Sequence, residues 1–253
     1  MKLIGKMQMA LITLVFSGTS IIAFCQENML RQIKKIQADN FENGECLEFI
    51  HQEDLPTSEI SYLQQVIIIR HGEPALNKKG CKNRKEAIRF TEMYDSVGVY
   101  DFEQMPICLS EADINVVYTS NLPRAINTAE KTVADDIPIE SYKFFNEFER
   151  KVMRFPNVKM PRRFWSITSG FLWIMGCNHK GIETFTEAKN RSKRAAFFLD
   201  DKAENYGKAV LFSHGFLNRF INRYMKKLGY KALNLNGKKY LGAYYFYKIN
   251  TRK

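Results

Sequence analysis

Three short segments of this 253-residue chain bring together residue types that do chemistry on an anion. Arg70-His71-Gly72-Glu73 is followed by Asn77. Thr119-Ser120-Asn121 is followed by Arg124, and Ser213-His214-Gly215 by Asn218. Two of the 4 histidines therefore sit in His-Gly pairs. Each pair stands one residue beyond an apolar run, Val66–Ile69 in one case and Ala209–Phe212 in the other. Neutral imidazole is a good nucleophile, its reference pKa is about 6.5, and nearby guanidinium charge holds it unprotonated. Two arginine forks match the oxygens of a phosphoryl group. The second histidine adds a donor opposite the first. Gly72 and Gly215, lacking Cβ, are expected to let the backbone approach a bound oxyanion. The set suits phosphoryl transfer through a phosphohistidine. Such a reaction also needs an acid for the leaving oxygen. Glu147 and Glu149, in Phe145-Asn146-Glu147-Phe148-Glu149-Arg150, are the candidates.

The elements that must position these residues follow from pattern. The continuous β-branched run Val66–Ile69 predicts a strand buried on both faces. Ile114–Tyr118, Ile137–Tyr142 and Ala209–Phe212 predict three more strands, and the aromatic stretch Tyr240–Ile249 an edge strand. Helices are expected at Arg84–Tyr94, Pro123–Val133 with Pro in the first turn, Glu183–Glu204 and Phe216–Leu228. Strands alternating with helices imply an α/β fold: a mostly parallel sheet flanked by helices on both faces. In such sheets ligands bind beyond the carboxyl ends of the strands, where the His-Gly pairs fall.

With strand placement added, the segments resemble the histidine phosphatase superfamily, the phosphoglycerate mutase-like proteins. Arg70-His71-Gly72-Glu73 with Asn77, Tyr118-Thr119-Ser120 leading to Arg124, and Ser213-His214-Gly215 keep that family's order and spacing over roughly residues 65–249. The resemblance implies the three-layer fold of that family and His71 as nucleophile. Arg70, Arg124 and His214 would form the phosphate pocket, assisted by Asn77, with His214 also acting in catalysis. Glu147 fits the position of the family's acid and is preferred to Glu149. The resemblance implies no metal and no cofactor. The Gly and Trp-Glu-Gly usual after that acid are absent, and Lys151–Gly176 stands in their place, which speaks against a sugar-phosphate mutase.

Composition bounds the rest. The chain is 45% hydrophobic and 26% charged, which excludes a wholly disordered protein. A formal charge of +11 favours anionic partners without choosing among them. There is no zinc finger, RNP motif or glycine-rich nucleotide loop, so a nucleic-acid partner is not expected. Ser213 lacks the first Gly of a nucleophile elbow. Residues 1–25, with Lys2 and Lys6 before the uncharged run Met9–Phe24, read as a signal peptide with cleavage before Gln26. The alternatives are an uncleaved anchor or a lipid on Cys25. Residues 26–60 form an N-terminal extension and 61–253 the phosphatase-like domain. Cys46, Cys81, Cys108 and Cys177 leave up to two disulfides, in any of three connectivities, or buried free thiols. His51 and His179 have no partners at ligand spacing.

The insertion at 151–177 is expected to be a helical cap. Lys151, Arg154, Lys159, Arg162 and Arg163 precede Phe164, Trp165, Phe171, Leu172, Trp173, Ile174 and Met175. Two readings stand: a cap with solvated charges, or a lid that meets extra anionic groups, a lipid-like substrate or an anionic membrane surface. The leading function is an exported, metal-independent phosphomonoesterase of the histidine acid phosphatase type, acting on a small phosphoester. A phosphomutase and a non-catalytic phospho-ligand binding module are the alternatives. The sequence leaves substrate and oligomeric state open.

Overall fold

The computed structural model describes residues 31, 35, 48–51, 60–103, 107–109, 114–149, 151–154, 158–177 and 180–251. The signal reading of residues 1–25, most of the extension at 26–60, Cys46 and His179 lie outside them. The chain divides into two units, 1–45 with 50–58 and 46–49 with 59–253, and the second carries the fold below.

Its strands are β1 Ile60–Arg70, β2 Cys81–Lys82, β3 Val117–Thr119, β4 Ile139–Ser141, β5 Met160–Pro161, β6 Lys208–Ser213, β7 Lys231–Leu235 and β8 Ala243–Thr251. The helices are α1 Arg84–Ser96, α2 Pro123–Glu130, α3 Arg162–Ile174, α4 Phe185–Tyr206 and α5 Gly215–Lys227. Six strands form one sheet in the order β4-β3-β6-β1-β8-β7. The pairs β3–β4, β3–β6 and β1–β6 are parallel, while β8 runs antiparallel to β1 and β7. The fold is thus α/β with a mostly parallel sheet.

Burial explains the arrangement. Val66, Ile67, Ile68 and Ile69 are fully buried, and successive side chains in a strand point to opposite faces, so β1 is covered on both. Val66, Ile68, Ala209, Leu211, Tyr244 and Phe246 share a cluster with Ala195, Leu199, Leu217 and Ile221 of α4 and α5. On the other face lie Ile67, Ile69, Val210 and Phe212. Helix α2 packs on β3, β4 and β6, its Ala125 and Ala129 allowing close approach.

Two expectations at the C-terminal end need correction. The aromatic stretch is an interior strand, β8, with β7 outside it. Its poor alternation has a physical cause: Tyr244, Tyr245, Phe246 and Tyr247 are all buried, so neither face needs polar residues. The edge strand Lys231–Leu235 was not expected. The strand expected at Ile114–Tyr118 is shorter and shifted, to Val117–Thr119.

The insertion is a cap on a footing of its own. Its strand β5 pairs with β2, and α3 rests on a small cluster of Ala87, Met153 and Trp165. The Trp165 indole donates to the Lys82 carbonyl at 2.7 Å, and the Trp173 indole to that of Glu183 at 2.7 Å. Cys108 is disulfide-bonded to a partner outside the described residues. Cys81 and Cys177 are free thiols, exposed rather than buried. No described helix is long and apolar enough to cross a membrane.

Candidate active site

Strand register gathers the motifs. In the β1–β6 ladder Arg70 lies opposite Ser213, and in the β3–β6 pair Thr119 lies opposite Phe212. His71, Ser120 and His214 therefore leave three neighbouring parallel strands at one level. The His71 amide donates to the Ser213 carbonyl at 2.9 Å, and the imidazole centroids of His71 and His214 are 5.1 Å apart. A cavity of about 210 Å³ opens here. Arg70, His71, Arg124, Glu147, Tyr94 and Tyr240 line it on the sheet side; Phe90, Arg162, Trp165 and Ser169 are among its walls under the cap.

His71 is set up as a nucleophile by two independent features. Its Nδ1 lies 2.7 Å from the Gly72 carbonyl oxygen. A carbonyl only accepts, so Nδ1 carries the proton and Nε2 keeps its lone pair. Burial holds the imidazole well below pKa 6.5, and the charges of Arg124, Arg70 and Lys78 press in the same direction against the Gly72 hydrogen bond. His71 is therefore neutral at neutral pH. We expect ¹⁵N shifts to report the neutral Nδ1–H tautomer still at pH 6.5, the ordinary midpoint, and on the acid side of it. A protonation midpoint at 6.5 or above would contradict this environment.

The arginines are held differently. Arg124 is 1% exposed, and its Nη1 donates to the Tyr94 carbonyl at 2.8 Å and to Asp95 Oδ1 at 3.0 Å. Its Nε has no acceptor among the described residues, and neither does Nε of Arg70. Buried cationic donors without acceptors are costly, and a bound oxyanion would relieve them. Arg70 also donates through Nη1 to the Lys238 carbonyl. Its side chain lies against Gly215: a Cβ there would stand 3.0 Å from Arg70 Nε and 3.2 Å from Cδ. Gly215 thus makes room for Arg70, a different task from the anion approach expected of it. A Cβ on Gly72 would meet Val99 and Phe102 at an ordinary 3.4 Å.

His214 is fully buried, and its Nε2 is 2.6 Å from the Ser120 hydroxyl. Glu147 lines the cavity and also closes the N-terminus of α5. Its Oε2 accepts from the Phe216 amide at 3.1 Å and its Oε1 from the Leu217 amide at 3.0 Å. Glu149 is not part of the cavity wall, and its carboxylate accepts from the Glu183 amide at 3.2 Å. Asn77 is not brought to the cavity either. It is exposed, and its Oδ1 accepts from the Lys79 amide at 3.0 Å, the short-range turn bond that Asn side chains favour.

Several cavity residues escaped sequence reasoning. Tyr240 stacks its ring 4.3 Å from the Arg70 guanidinium carbon and 4.5 Å from Lys78 Nζ. It comes from the loop between β7 and β8, which is bent back onto β1: the Leu241 amide donates to the Arg70 carbonyl at 3.1 Å, and the Arg70 amide to that of Gly242 at 2.9 Å. Leu241 pays for that bend with a φ of 58°, and a Cβ on Gly242 would sit 1.9 Å from the Asn236 oxygen. Burial would raise the Tyr240 phenol, but hydrogen bonds with Lys78 and Tyr94 and the charges of Lys78 and Arg70 outweigh it and bring it below 10. Tyr94, pushed up to about 12 by burial and by Tyr240, stays protonated. Among the described residues no group of three or more His, Cys, Asp or Glu side chains is placed to hold a metal ion.

The sequence matches the histidine phosphatase superfamily (branch 1) over residues 66–240, more than half of its length. The chain belongs to that superfamily, and its chemistry is phosphoryl transfer of the phosphatase or phosphomutase type. Solved structures with similarity include mycobacterial glucosyl-3-phosphoglycerate phosphatase in complex with VO3, at 14% identity and TM-score 0.42 over 74% of this chain and 98% of that one. Ecdysone phosphate phosphatase from Bombyx mori with tungstate has 14% identity and TM-score 0.39, over 65% of this chain and 78% of that one. YhfR from Bacillus stearothermophilus has 20% identity and TM-score 0.39, over 64% and 80%. No curated protein matches the chain. Membership rests on the family match and not on these likenesses.

Proposed function

We propose that the protein is an exported phosphomonoesterase that works through phospho-His71 without a metal. The observation that carries this reading is the neutral, Nδ1-protonated His71 at a cavity lined by Arg70 and Arg124, whose buried Nε donors have no acceptor among the described residues. In the first step His71 Nε2 forms a bond to phosphorus while the bond to the leaving oxygen breaks. The leaving oxygen takes the electron pair and a proton from Glu147. The oxygen of a water then bonds to phosphorus as the P–Nε2 bond breaks and its electron pair returns to His71; the water gives a proton back to Glu147 and inorganic phosphate leaves. Arg70 and Arg124 line the cavity where the phosphoryl oxygens would lie, and His214, buried behind the wall with its Nε2 on Ser120, would join them by giving up that contact; their charge and hydrogen bonds would do the work a cation does elsewhere. Walls of Phe90, Trp165 and Tyr240 suit a leaving group with apolar or aromatic bulk, and Arg162 reaches a further anionic group on it. The disulfide at Cys108 supports export, because such bonds persist in oxidising compartments.

Glu147 gives one alternative a footing. With both oxygens on α5 amides it acts as a helix cap, and it must release one bond to hand over a proton. A pocket in which it never does so would bind phosphoesters without turnover. Rapid quench with a ³²P-labelled aryl phosphate in chelator decides the matter. The expected result is an acid-labile phosphoenzyme, with Glu147→Gln slowing its formation by about 10²–10⁴. Binding without any labelled protein or released phosphate would establish the binding module instead. Transfer of label to an alcohol in place of water would mark a mutase.

A further inference from the structure

Cap helix α3 has two unlike faces that point in opposite directions. One face carries Arg162, Trp165, Ser166 and Ser169 toward the catalytic cavity. The other carries Phe164, Ile167, Phe171 and Ile174, continued by Met175, and all of these are exposed. Ile167 is 69% exposed and Phe171 61%. At 100° per residue Phe164, Ile167, Phe171 and Ile174 fall within an arc of about 80°, so they form a single stripe. Scattered apolar residues on a surface need no explanation, but a contiguous stripe does.

The charge around the stripe indicates what covers it. Arg163 borders it on the helix, Lys159 directly precedes β5, and both are exposed. No Asp or Glu occurs between Glu149 and Glu183. Two copies of this face docked together would bring basic rims of the same sign into contact. An anionic bilayer offers the reverse: acyl chains for the stripe and headgroup charge for the rim. We infer that α3 docks by this face on an anionic phospholipid surface. The catalytic cavity then lies behind the docked helix. The inference is independent of the reaction proposed above.

The test reads the face itself, so attachment through another part of the chain does not mimic it. In the full chain carrying Cys81→Ser and Cys177→Ser, Ile167→Cys is labelled with an environment-sensitive dye, and the same chain with Ile167 kept is treated alike, so that the signal of any other thiol is subtracted. Phosphatidylcholine vesicles with phosphatidylglycerol should shift its emission to the blue, and pure phosphatidylcholine should not. Adding Phe171→Asp should weaken the apparent vesicle affinity read by the dye at least about tenfold, with the far-UV circular dichroism unchanged. Salt should weaken the response as well. No blue shift, or an equal shift with neutral vesicles, overturns the inference. So does an emission change on concentrating the protein without lipid, which would assign the face to a second copy of the chain.

Discussion

His71→Gln is expected to lower the turnover of an aryl phosphate by at least about a thousandfold, because the change removes the nucleophile and no neighbouring group can form the same covalent intermediate. His214 is 5.1 Å away ring to ring but has its Nε2 engaged with Ser120, so it does not substitute. The same variant should have a second, opposite signature in stability. Burial keeps folded His71 below its ordinary value, so in acid the unfolded chain binds a proton that the folded one refuses. His71 therefore costs the wild type stability as pH falls below about 6.5 toward its depressed folded value, and that cost vanishes above the window. Glutamine has no such term. The stability of His71→Gln relative to wild type should rise between pH 8 and about pH 5, measured by urea denaturation at each pH. Full turnover in the variant, or a stability difference flat with pH, would contradict the role and the environment assigned to His71.

The parts of this site that were legible in the sequence are those fixed by strand ends. A buried strand declares itself by composition, and the residues after it must lie at the sheet's carboxyl edge. Arg70, His71 and His214 follow from Val66–Ile69 and Ala209–Phe212 in that way, and Arg124 from its place in the first turn of α2. What was not legible comes from packing between distant segments. Tyr240 reaches the cavity only because the loop before β8 folds back on the Arg70 backbone, and nothing local in Lys238-Lys239-Tyr240 signals that contact. Tyr94 enters through the last turn of α1. Arg162 belonged to a basic run whose members look alike in sequence; helical phase alone separates it, facing the cavity, from Arg163, facing solvent. Asn77 shows the converse. Its spacing from His71 fits the family, yet its amide is occupied by a turn bond outside the cavity. The edge strand β7 was hidden because a stretch of five residues beginning with Lys carries little periodic signal.

Arg124 carries the other large expected effect, and its two neighbouring replacements separate charge from geometry. The guanidinium is buried, its Nη1 is shared between the Tyr94 carbonyl and Asp95, and its Nε is without an acceptor among the described residues. In the ligand-free protein these features oppose each other. Arg124→Met removes a buried, partly unsatisfied cation, which favours folding. It also leaves the Tyr94 carbonyl without its donor, at a cost of about 1–3 kcal/mol. The net change in stability should therefore stay within about 2 kcal/mol. Function has no such compensation. Loss of the fork should reduce kcat/KM for an aryl phosphate by at least about a hundredfold. Arg124→Lys should recover little of it, since a point charge cannot bond the Tyr94 carbonyl, Asp95 and a phosphoryl oxygen from one planar group. Vanadate, a phosphate mimic, should raise the melting temperature of the wild type and leave both variants nearly unmoved, because a ligand stabilises only the fold that binds it. If Arg124→Lys retained wild-type kcat/KM and vanadate protection, positive charge alone would suffice at this position, and the buried fork would have no part in recognising the phosphoryl group.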